Sequence, residues 1–338
     1  MLLDSFHRPL RNLRLSVTDR CNLRCLYCMP EAEYTWLPKH DVLTFEEIDR
    51  LVGVFLGLGA DKLRLTGGEP LLRTNLPSLV TQLARHASVR DLAMTTNGIL
   101  LSAFAGPLRD AGLKRVTVSL DTLRRERFVR LTRQDELTRT LSGIDTAARV
   151  FPGFKIDTVV IRGVNDDEIA ELVAFARERG GEIRFIEYMD VGGATGWTAQ
   201  QVVSRAEILE RIVDAFGPIV PADKEPAAPA DRFRLNDGTP FGVIASTTAP
   251  FCRDCDRARL TADGMLYTCL YATSGLDLRA ALRNGATDDE VRALITDTWT
   301  DRIDRGAEAR LGVPDRRPLI PVSTLKRDPH LEMHTRGG

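Results

Sequence analysis

Apolar runs alternate with amphipathic stretches through the first two-thirds of the chain. Each short apolar run is typical of a buried parallel strand, and a helical pattern follows it. The predicted strands lie at 13–18, 62–66, 91–96, 115–120, 155–161 and 182–187, and the predicted helices lie at 44–59, 75–87, 101–112, 138–151 and 166–180. Thr44 and Asn165 are expected to cap helices. Six strand–helix units predict an α/β fold with a parallel sheet, but strand lengths alone do not separate an open barrel from a flat doubly wound sheet.

The regular alternation of predicted strands and helices ends after about residue 190, where a glycine-rich loop begins. A Pro/Ala-rich connector at 217–231 is expected to be exposed and mobile. The remaining predicted elements are helices at 204–216, 275–284 and 287–304, strands at 231–235, 241–246, 257–261 and 265–270, and an irregular tail from about residue 312. We therefore predict two domains, 1–190 and 191–338.

Charge and hydropathy limit the classes of partner and compartment. The 46 basic residues are dispersed among 47 acidic ones, which argues against a polybasic surface for nucleic acid. No apolar run approaches the ~18–20 residues of a membrane span, and the start lacks the pattern of a signal peptide. We expect a cytoplasmic protein with neither nucleic acid nor membrane as partner. Its six cysteines would then serve metal binding or catalysis rather than disulfides.

The cysteines form two triads that are far apart in the sequence, Cys21, Cys25, Cys28 (C-x3-C-x2-C) and Cys252, Cys255, Cys269 (C-x2-C-x13-C). Three thiolates can hold three irons of a [4Fe–4S] cube and leave the fourth iron open for a small molecule. The alternative for the first triad is a structural zinc site, completed by a distant His or shared between the triads. For the second triad, spacing alone does not separate zinc from iron–sulfur.

The first triad, with an aromatic residue before its last cysteine, resembles the signature of radical S-adenosylmethionine (SAM) enzymes. The resemblance implies that SAM occupies the open iron and, after one-electron reduction, yields a 5′-deoxyadenosyl radical that abstracts hydrogen from substrate. "TGGEP" at 66–70 resembles the SAM amino-group motif of that family, and its glycines permit close approach of a ligand. The SAM contacts implied by resemblance are Tyr27, Gly68, Ser119 and Met189.

A nearly end-to-end set of motifs resembles one subfamily, the GTP 3′,8-cyclases. These motifs include "RLSVTDRCNLRCLYCMP", "LRLTGGEPLLR", "VSLDTL", "IRFIEYMDVG" and the surroundings of the second triad. The resemblance implies a second [4Fe–4S] cluster whose open iron receives the guanine of GTP. Independently of it, Arg14, Arg64 and Lys155 lie within strands that otherwise read as buried, and a buried cation needs an anion. The GTP contacts implied by resemblance are Arg14, Arg64, Thr95, Lys155, Arg257, Ala258 and Arg259.

In that subfamily a C-terminal Gly-Gly enters the active site, and Gly337 and Gly338 match it. The preceding pair, Thr335 and Arg336, is more polar than the subfamily leads us to expect. The implied fold is a partial (β/α)6 TIM-type barrel with a smaller C-terminal α+β module.

The implied reaction converts GTP to (8S)-3′,8-cyclo-7,8-dihydroguanosine 5′-triphosphate, the first step of molybdenum cofactor biosynthesis. SAM is consumed, and the enzyme needs an external electron donor. The product passes to cyclic pyranopterin monophosphate synthase, and we expect a monomer or homodimer. Two alternatives remain at this point, a peptide-modifying radical SAM enzyme with an auxiliary cluster and a non-enzymatic scaffold or electron carrier.

Overall fold

A single twelve-stranded sheet organises the chain in a computed structural model that describes residues 1–31 and 33–337. Its strand order is β12-β11-β10-β1-β2-β3-β4-β5-β6-β9-β8-β7. The strands are β1 Asn12–Ser16, β2 Lys62–Thr66, β3 Asp91–Thr96, β4 Arg115–Ser119, β5 Lys155–Val160, β6 Glu182–Glu187, β7 Val220–Ala222, β8 Asp231–Arg234, β9 Pro240–Ile244, β10 Arg257–Leu260, β11 Met265–Tyr267 and β12 Leu276–Asp277.

Helices follow most of the central strands. They are α1 Phe45–Gly57, α2 Leu76–Ala84, α3 Leu101–Asp110, α4 Arg125–Thr132, α5 Leu137–Val150, α6 Ile169–Glu178, α7 Arg205–Phe216, α8 Leu278–Arg283, α9 Asp288–Thr300, α10 Gly306–Leu311 and α11 Val322–Leu325. None of the helices in the described ranges has the length and apolar character of a transmembrane span.

The six predicted parallel strands are adjacent and in chain order, which confirms the partial barrel. The C-terminal third extends this arrangement at both edges, because β10 pairs parallel to β1 and β9 pairs parallel to β6. Among the strands that the structure describes, the sheet ends at β12 and β7, which do not pair with each other. The barrel is therefore open.

Each central strand alternates between two environments. Leu13 and Leu15 of β1 are fully buried in the hydrophobic core, while Arg14 between them lines the barrel interior. The neighbouring strand repeats the pattern, with Leu63 and Leu65 in the core. Apolar side chains on one face of the sheet thus leave the other face free for polar chemistry.

Local predictions agree with the structure unevenly. Thr44 caps α1 through a capping box with Glu47, as expected. The prediction for Asn165 was wrong, because α6 begins only at Ile169 and the Asn165 side chain instead donates through Nδ2 to the Asp121 and Val159 carbonyls. The pattern did not predict α4, which is short and rich in arginine, or β7, whose three residues lie in the stretch predicted to be a connector.

A buried charge network ties the N-terminal segment to the C-terminal third. Asp4 accepts from Arg8 Nε at 2.6 Å and from Arg302 Nη1 at 3.3 Å. The same two guanidinium groups also bind backbone carbonyls of the second triad. Arg8 Nη1 donates to the Cys252 carbonyl, and Arg302 Nη1 donates to the Cys255 carbonyl, both at 2.8 Å. The backbone of the second triad is therefore held by cations that depend on one carboxylate.

Replacing Asp4 with Ala should lower the free energy of unfolding by about 3–5 kcal/mol, because two buried guanidinium groups would lose their counter-ion. Urea unfolding followed by circular dichroism measures this. The matched control is Glu136→Ala, which breaks the Arg139–Glu136 pair at the surface and should leave the transition nearly unchanged. Equal effects of the two substitutions would contradict the role given to the buried network.

Candidate active site

The barrel interior holds one cavity of about 1020 Å³. Both cysteine triads contribute to its walls, as do all the predicted SAM contacts and most of the predicted GTP contacts. The lining residues that the sequence predicted are Cys21, Cys25, Cys28, Cys252, Cys255, Cys269, Tyr27, Gly68, Ser119, Met189, Arg14, Arg64, Thr95, Lys155, Arg257 and Arg259. Ala258 does not join them, because its side chain is fully buried in the hydrophobic core on the other face of β10.

The first triad lies in the loop that leaves the carboxyl end of β1. The Cys25 carbonyl accepts from the amides of Cys28 and Met29 at 3.0 and 2.7 Å, which turns the chain and brings the thiols toward the cavity. Burial raises the pKa of Cys21 to about 11 and raises the pKa values of Cys25 and Cys28 as well. Such thiols stay protonated until a metal displaces the proton.

The glycine pair after β2 packs directly against the start of the triad loop. The Gly68 amide donates to the Thr18 carbonyl at 3.0 Å, and the Glu69 amide donates to the Arg20 carbonyl at 2.8 Å. A Cβ at Gly68 would overlap the Arg20 carbonyl oxygen, so only glycine permits this approach.

The Glu69 carboxylate is buried behind this turn, where it accepts from Thr96 Oγ1 and the Asn97 amide, both at 2.7 Å. Burial raises its pKa to about 7.

Tyr27, next to Cys28, is fixed by a carboxylate that the sequence analysis did not single out. Its hydroxyl donates to Asp121 Oδ2 at 2.7 Å. Burial raises the pKa of Asp121 to about 6. Asp121 also accepts from the Val159 amide through its other oxygen. The ring of Tyr27 is therefore anchored beside the first triad, with Ser119 at the end of β4 nearby on the same wall.

The second triad occupies the wall built by the C-terminal third. Burial opposes ionisation of Cys255, but Arg257 and Arg302 outweigh it and lower its pKa to about 6. Burial raises the pKa of Cys252. Two cations thus favour the thiolate at Cys255, and a thiolate is the form that binds a metal.

A row of cations crosses the cavity wall at one level. Strand pairing places Arg14 of β1 in register with Arg259 of β10 on one side and with Arg64 of β2 on the other. Burial lowers the pKa of Arg14, and it lowers those of Arg64 and Arg259 to about 10. Arg64 Nη1 donates to the hydroxyls of Thr95 and Thr117 at 3.0 and 3.2 Å. Hydroxyl groups satisfy hydrogen bonds without carrying charge, and the carboxylates of Asp157 and Asp91 offset the desolvation of Arg64 only in part.

Lys155 continues the basic lining on β5. Burial lowers its pKa to about 8, although Glu182 accepts a hydrogen bond from its Nζ at 3.0 Å. A buried carboxylate oxygen of this cavity wall, Asp157 Oδ1, has no hydrogen-bond partner within residues 1–31 and 33–337, and neither has the buried hydroxyl of Ser16 at the end of β1. Unsatisfied polar atoms beside buried cations are typical of a site that a polar ligand completes.

The C-terminal tail reaches this row. The Gly337 carbonyl accepts from Arg259 Nη1 at 2.9 Å and from Arg14 Nη1 at 3.3 Å. Gly337 has φ 65°, and a Cβ there would overlap Thr66, so glycine is required. Gly338 lies outside the described residues.

Arg336 packs differently from the apolar residue we expected. It is 2% exposed, and its guanidinium donates to the carbonyls of His330, Leu270 and Ala272 while stacking 4.2 Å from the Tyr267 ring. These contacts explain how a polar residue is accommodated in the tail.

Several lining residues were missed by the sequence analysis although a signal was present. Asp157 and Arg184 stand at interior positions of strands that read as buried, which is the same signal that identified Arg14 and Arg64. His334 also lines the cavity, in edge contact with Tyr34 at 5.3 Å. Nothing in its sequence context indicates this, because its position depends on the packing of the tail.

The residues present fit the groups that the resemblance implies. Cysteine thiols are the ligands of iron–sulfur clusters, and the three cysteines of each triad line the same cavity. Over residues 1–31 and 33–337, no group of three or more His, Cys, Asp or Glu side chains is arranged to hold a single metal ion.

The chain matches two families over successive ranges. Residues 15–176 match the radical SAM superfamily, and residues 181–307 match the family described as Molybdenum Cofactor Synthesis C. Among solved structures, Streptococcus suis SuiB bound to S-adenosylmethionine aligns with a TM-score of 0.60 at 16% identity, covering 90% of this chain and 68% of that one. The same protein bound to precursor peptide SuiA gives a TM-score of 0.60 at 18% identity, with coverages of 90% and 67%. This likeness supports the fold.

Closer relatives extend over the full length. A Mycobacterium tuberculosis protein named GTP 3′,8-cyclase 1 is 53% identical over 340 residues, which covers 99% of this chain and 95% of that protein. The Aquifex aeolicus protein named GTP 3′,8-cyclase is 44% identical over 340 residues, which covers both chains completely. The chain therefore belongs to the GTP 3′,8-cyclase family of the radical SAM superfamily.

Proposed function

We propose that this protein converts GTP to (8S)-3′,8-cyclo-7,8-dihydroguanosine 5′-triphosphate, the first step of molybdenum cofactor biosynthesis. One observation carries the proposal: two thiol triads and a row of buried arginines line the same cavity. The names of the full-length relatives support the same reaction. A structural scaffold would have no need to line a cavity with several buried cations, because desolvating each charge costs free energy.

Each triad would hold one [4Fe–4S] cluster, Cys21, Cys25 and Cys28 the first and Cys252, Cys255 and Cys269 the second. SAM, bound at the first cluster, supplies hydrogen-abstracting radical chemistry when it is reduced by one electron. Tyr27, held by Asp121, and the backbone at Gly68 would position SAM, with Ser119 and Met189 completing its contacts.

The basic row would bind the triphosphate. Arg14, Arg64 and Arg259 present their guanidinium groups from three adjacent strands, and arginine suits phosphate because its planar fork donates two hydrogen bonds. Lys155, Thr95 and Arg257 would add contacts around them. Ala258 would contribute through its backbone alone, because its side chain faces the core.

The tail would close the substrate side of the cavity. The Gly337 carbonyl is held by Arg14 and Arg259, and Arg336 fastens the preceding turn to the loop that follows Cys269. This arrangement orients the two arginines and excludes water from the wall that they line. We include Gly338 in this role by its chain position.

Further parts of the proposal concern the surroundings of the enzyme. An external donor would supply the electron, and cyclic pyranopterin monophosphate synthase would receive the product. We propose a cytoplasmic monomer or homodimer in which 1–190 forms the SAM-binding domain and 191–338 the substrate-cluster module. Strands β1 to β6 lie within the first range and the second triad lies within the second, which supports this division.

The proposed reaction makes SAM cleavage depend on the nucleotide. Anaerobically reconstituted and reduced protein should form 5′-deoxyadenosine rapidly with GTP, and slowly with ATP or without nucleotide. Mass spectrometry should then find a cyclised guanosine triphosphate. Cys269→Ala should retain slow SAM cleavage and lose the cyclised product, because it alters only the second triad.

Cleavage that is indifferent to the nucleotide would retain the radical chemistry and remove GTP as the substrate. Protein that binds zinc with little iron would contradict both clusters.

Replacing Arg64 with Met should weaken GTP binding by roughly ten- to a hundredfold, because one buried partner of the triphosphate is lost. The same substitution should not lower the unfolding free energy of the ligand-free protein, since it removes a desolvated charge in register with Arg14. Equilibrium dialysis with GTP and urea unfolding give the two readouts.

The matched control is Arg73→Met, which changes a half-buried arginine that donates to the Leu43 carbonyl outside the cavity. It should leave GTP affinity unchanged. Unaltered GTP binding by Arg64→Met would overturn the assignment of the row to the triphosphate.

A further inference from the structure

The outer side of the first triad is exposed to solvent at one residue. Leu26, between Cys25 and Cys28, is 40% exposed, whereas both of these cysteines line the cavity. The Leu26 amide donates to the Leu131 carbonyl at 2.9 Å, so the end of α4 lies directly beside the triad loop. The Arg24 amide makes the next bond of this pairing, to the Thr132 carbonyl at 2.9 Å. The triad is therefore separated from solvent here by a single loop.

Two exposed arginines flank the residues that pair with the loop. Arg130 and Arg133 have no carboxylate within ion-pair distance in the part of the chain that the structure describes. Other arginines of the same helix are paired: Arg125 with Asp135, and Arg127 with Asp167 and Glu168. Glu126, one turn before Arg130, is the only carboxylate of α4, so the last turn of the helix carries a net positive charge that is available to a partner.

Arg133 carries a second signal in its backbone. It ends α4 with φ 57°, the left-handed conformation that glycine or asparagine adopts most readily at this position. An arginine there strains the backbone, and its cationic side chain gains only modestly from the helix dipole. Glycine at this position would avoid the strain. The presence of arginine beside the triad loop therefore indicates that its guanidinium group has a function there.

We define the triad-loop surface as Leu26, Val129, Arg130 and Arg133. Val129 is 37% exposed and lies on the same last turn of α4, where its carbonyl accepts from the Arg133 amide. We propose that the triad-loop surface docks an acidic, low-potential electron-donor protein. The proposal rests on the proposed function, because it takes the first triad to hold a [4Fe–4S] cluster. It adds where the donor binds and what kind of surface the donor presents.

The occupant follows from chemistry and charge. Each turnover requires one electron at the first cluster: the donor centre is oxidised by one electron, the cluster is reduced by one, and no atom is transferred. The inner side of the triad faces the substrate cavity, so a protein donor must approach from outside. A small apolar centre with a cationic rim matches an acidic partner that binds transiently, since rim charges mainly raise the association rate.

The test uses a plant-type [2Fe–2S] ferredoxin as the probe, an acidic protein with a reduction potential of about −400 mV. Its oxidised form is titrated calorimetrically into the reconstituted enzyme at about 0.01 M and about 0.15 M salt. Arg130→Glu should weaken binding on the order of tenfold at low salt and flatten the salt dependence. Arg133→Gly should weaken it about threefold without lowering the thermal midpoint, because glycine relieves the backbone.

The matched control is Arg85→Glu. Arg85 is exposed, follows the last turn of α2 and has no ion-pair partner in the described part of the chain, but it lies at the opposite end of the barrel. It changes the charge by the same amount as Arg130→Glu and should leave ferredoxin binding unaltered. Equal weakening by both substitutions would reduce the effect to net charge and overturn the proposal.

Reduction is then compared with two reductants. With ferredoxin, 5′-deoxyadenosine formation by Arg130→Glu should fall in proportion to binding, whereas with excess dithionite it should equal that of the unaltered protein. A parallel loss with dithionite, or no ferredoxin binding by the unaltered protein, would overturn the docking assignment. Failure of the proposed function would appear differently, as absence of GTP-dependent cleavage with dithionite while calorimetry still reports on the surface.

Discussion

The burial of three arginines in register is the constraint on which this site depends. Arg259, Arg14 and Arg64 stand side by side on neighbouring strands, and each has its pKa lowered by desolvation. Their like charges repel one another, and the Asp157 carboxylate offsets desolvation and repulsion at Arg14 and Arg64 only in part. Burying these three charges side by side therefore costs free energy in the folded protein, and a polyanionic ligand recovers part of that free energy as binding affinity. This is why the cavity suits a triphosphate rather than an uncharged substrate.

The rest of the architecture brings distant segments to that row. β10 joins β1 at the edge of the barrel and supplies Arg259. The N-terminal carboxylate Asp4 orders two arginines that hold the carbonyls of Cys252 and Cys255. The tail returns so that the Gly337 carbonyl meets the same arginines. The N-terminal segment and the C-terminal tail thus both stabilise this site, and a substitution in either of them should disturb the reaction in the cavity.

Part of the cavity wall could be predicted from the sequence, and the strand pairing that completes it could not. The two cysteine triads were recognisable from their spacing. The interior positions of Arg14 and Arg64 could be predicted because side chains alternate between the two faces of a strand. The position of Arg259 beside Arg14 could not be predicted, because it depends on the pairing of β10 with β1, two strands that are far apart in the sequence. Ala258 was assigned from a motif, but the same alternation turns its side chain to the core. The role of Asp121 could not be predicted because its partner, the Tyr27 hydroxyl, is distant in sequence.

The most direct test of the central claim is the dependence of stability on the number of phosphates. Thermal unfolding of the anaerobically reconstituted protein is measured with guanosine, GMP, GDP and GTP at equal concentrations, at low and at physiological salt. A ligand that binds the folded state raises the midpoint according to its affinity. Our account predicts a midpoint that rises with each phosphate, most steeply at low salt. Stabilisation by guanosine equal to that by GTP would contradict it.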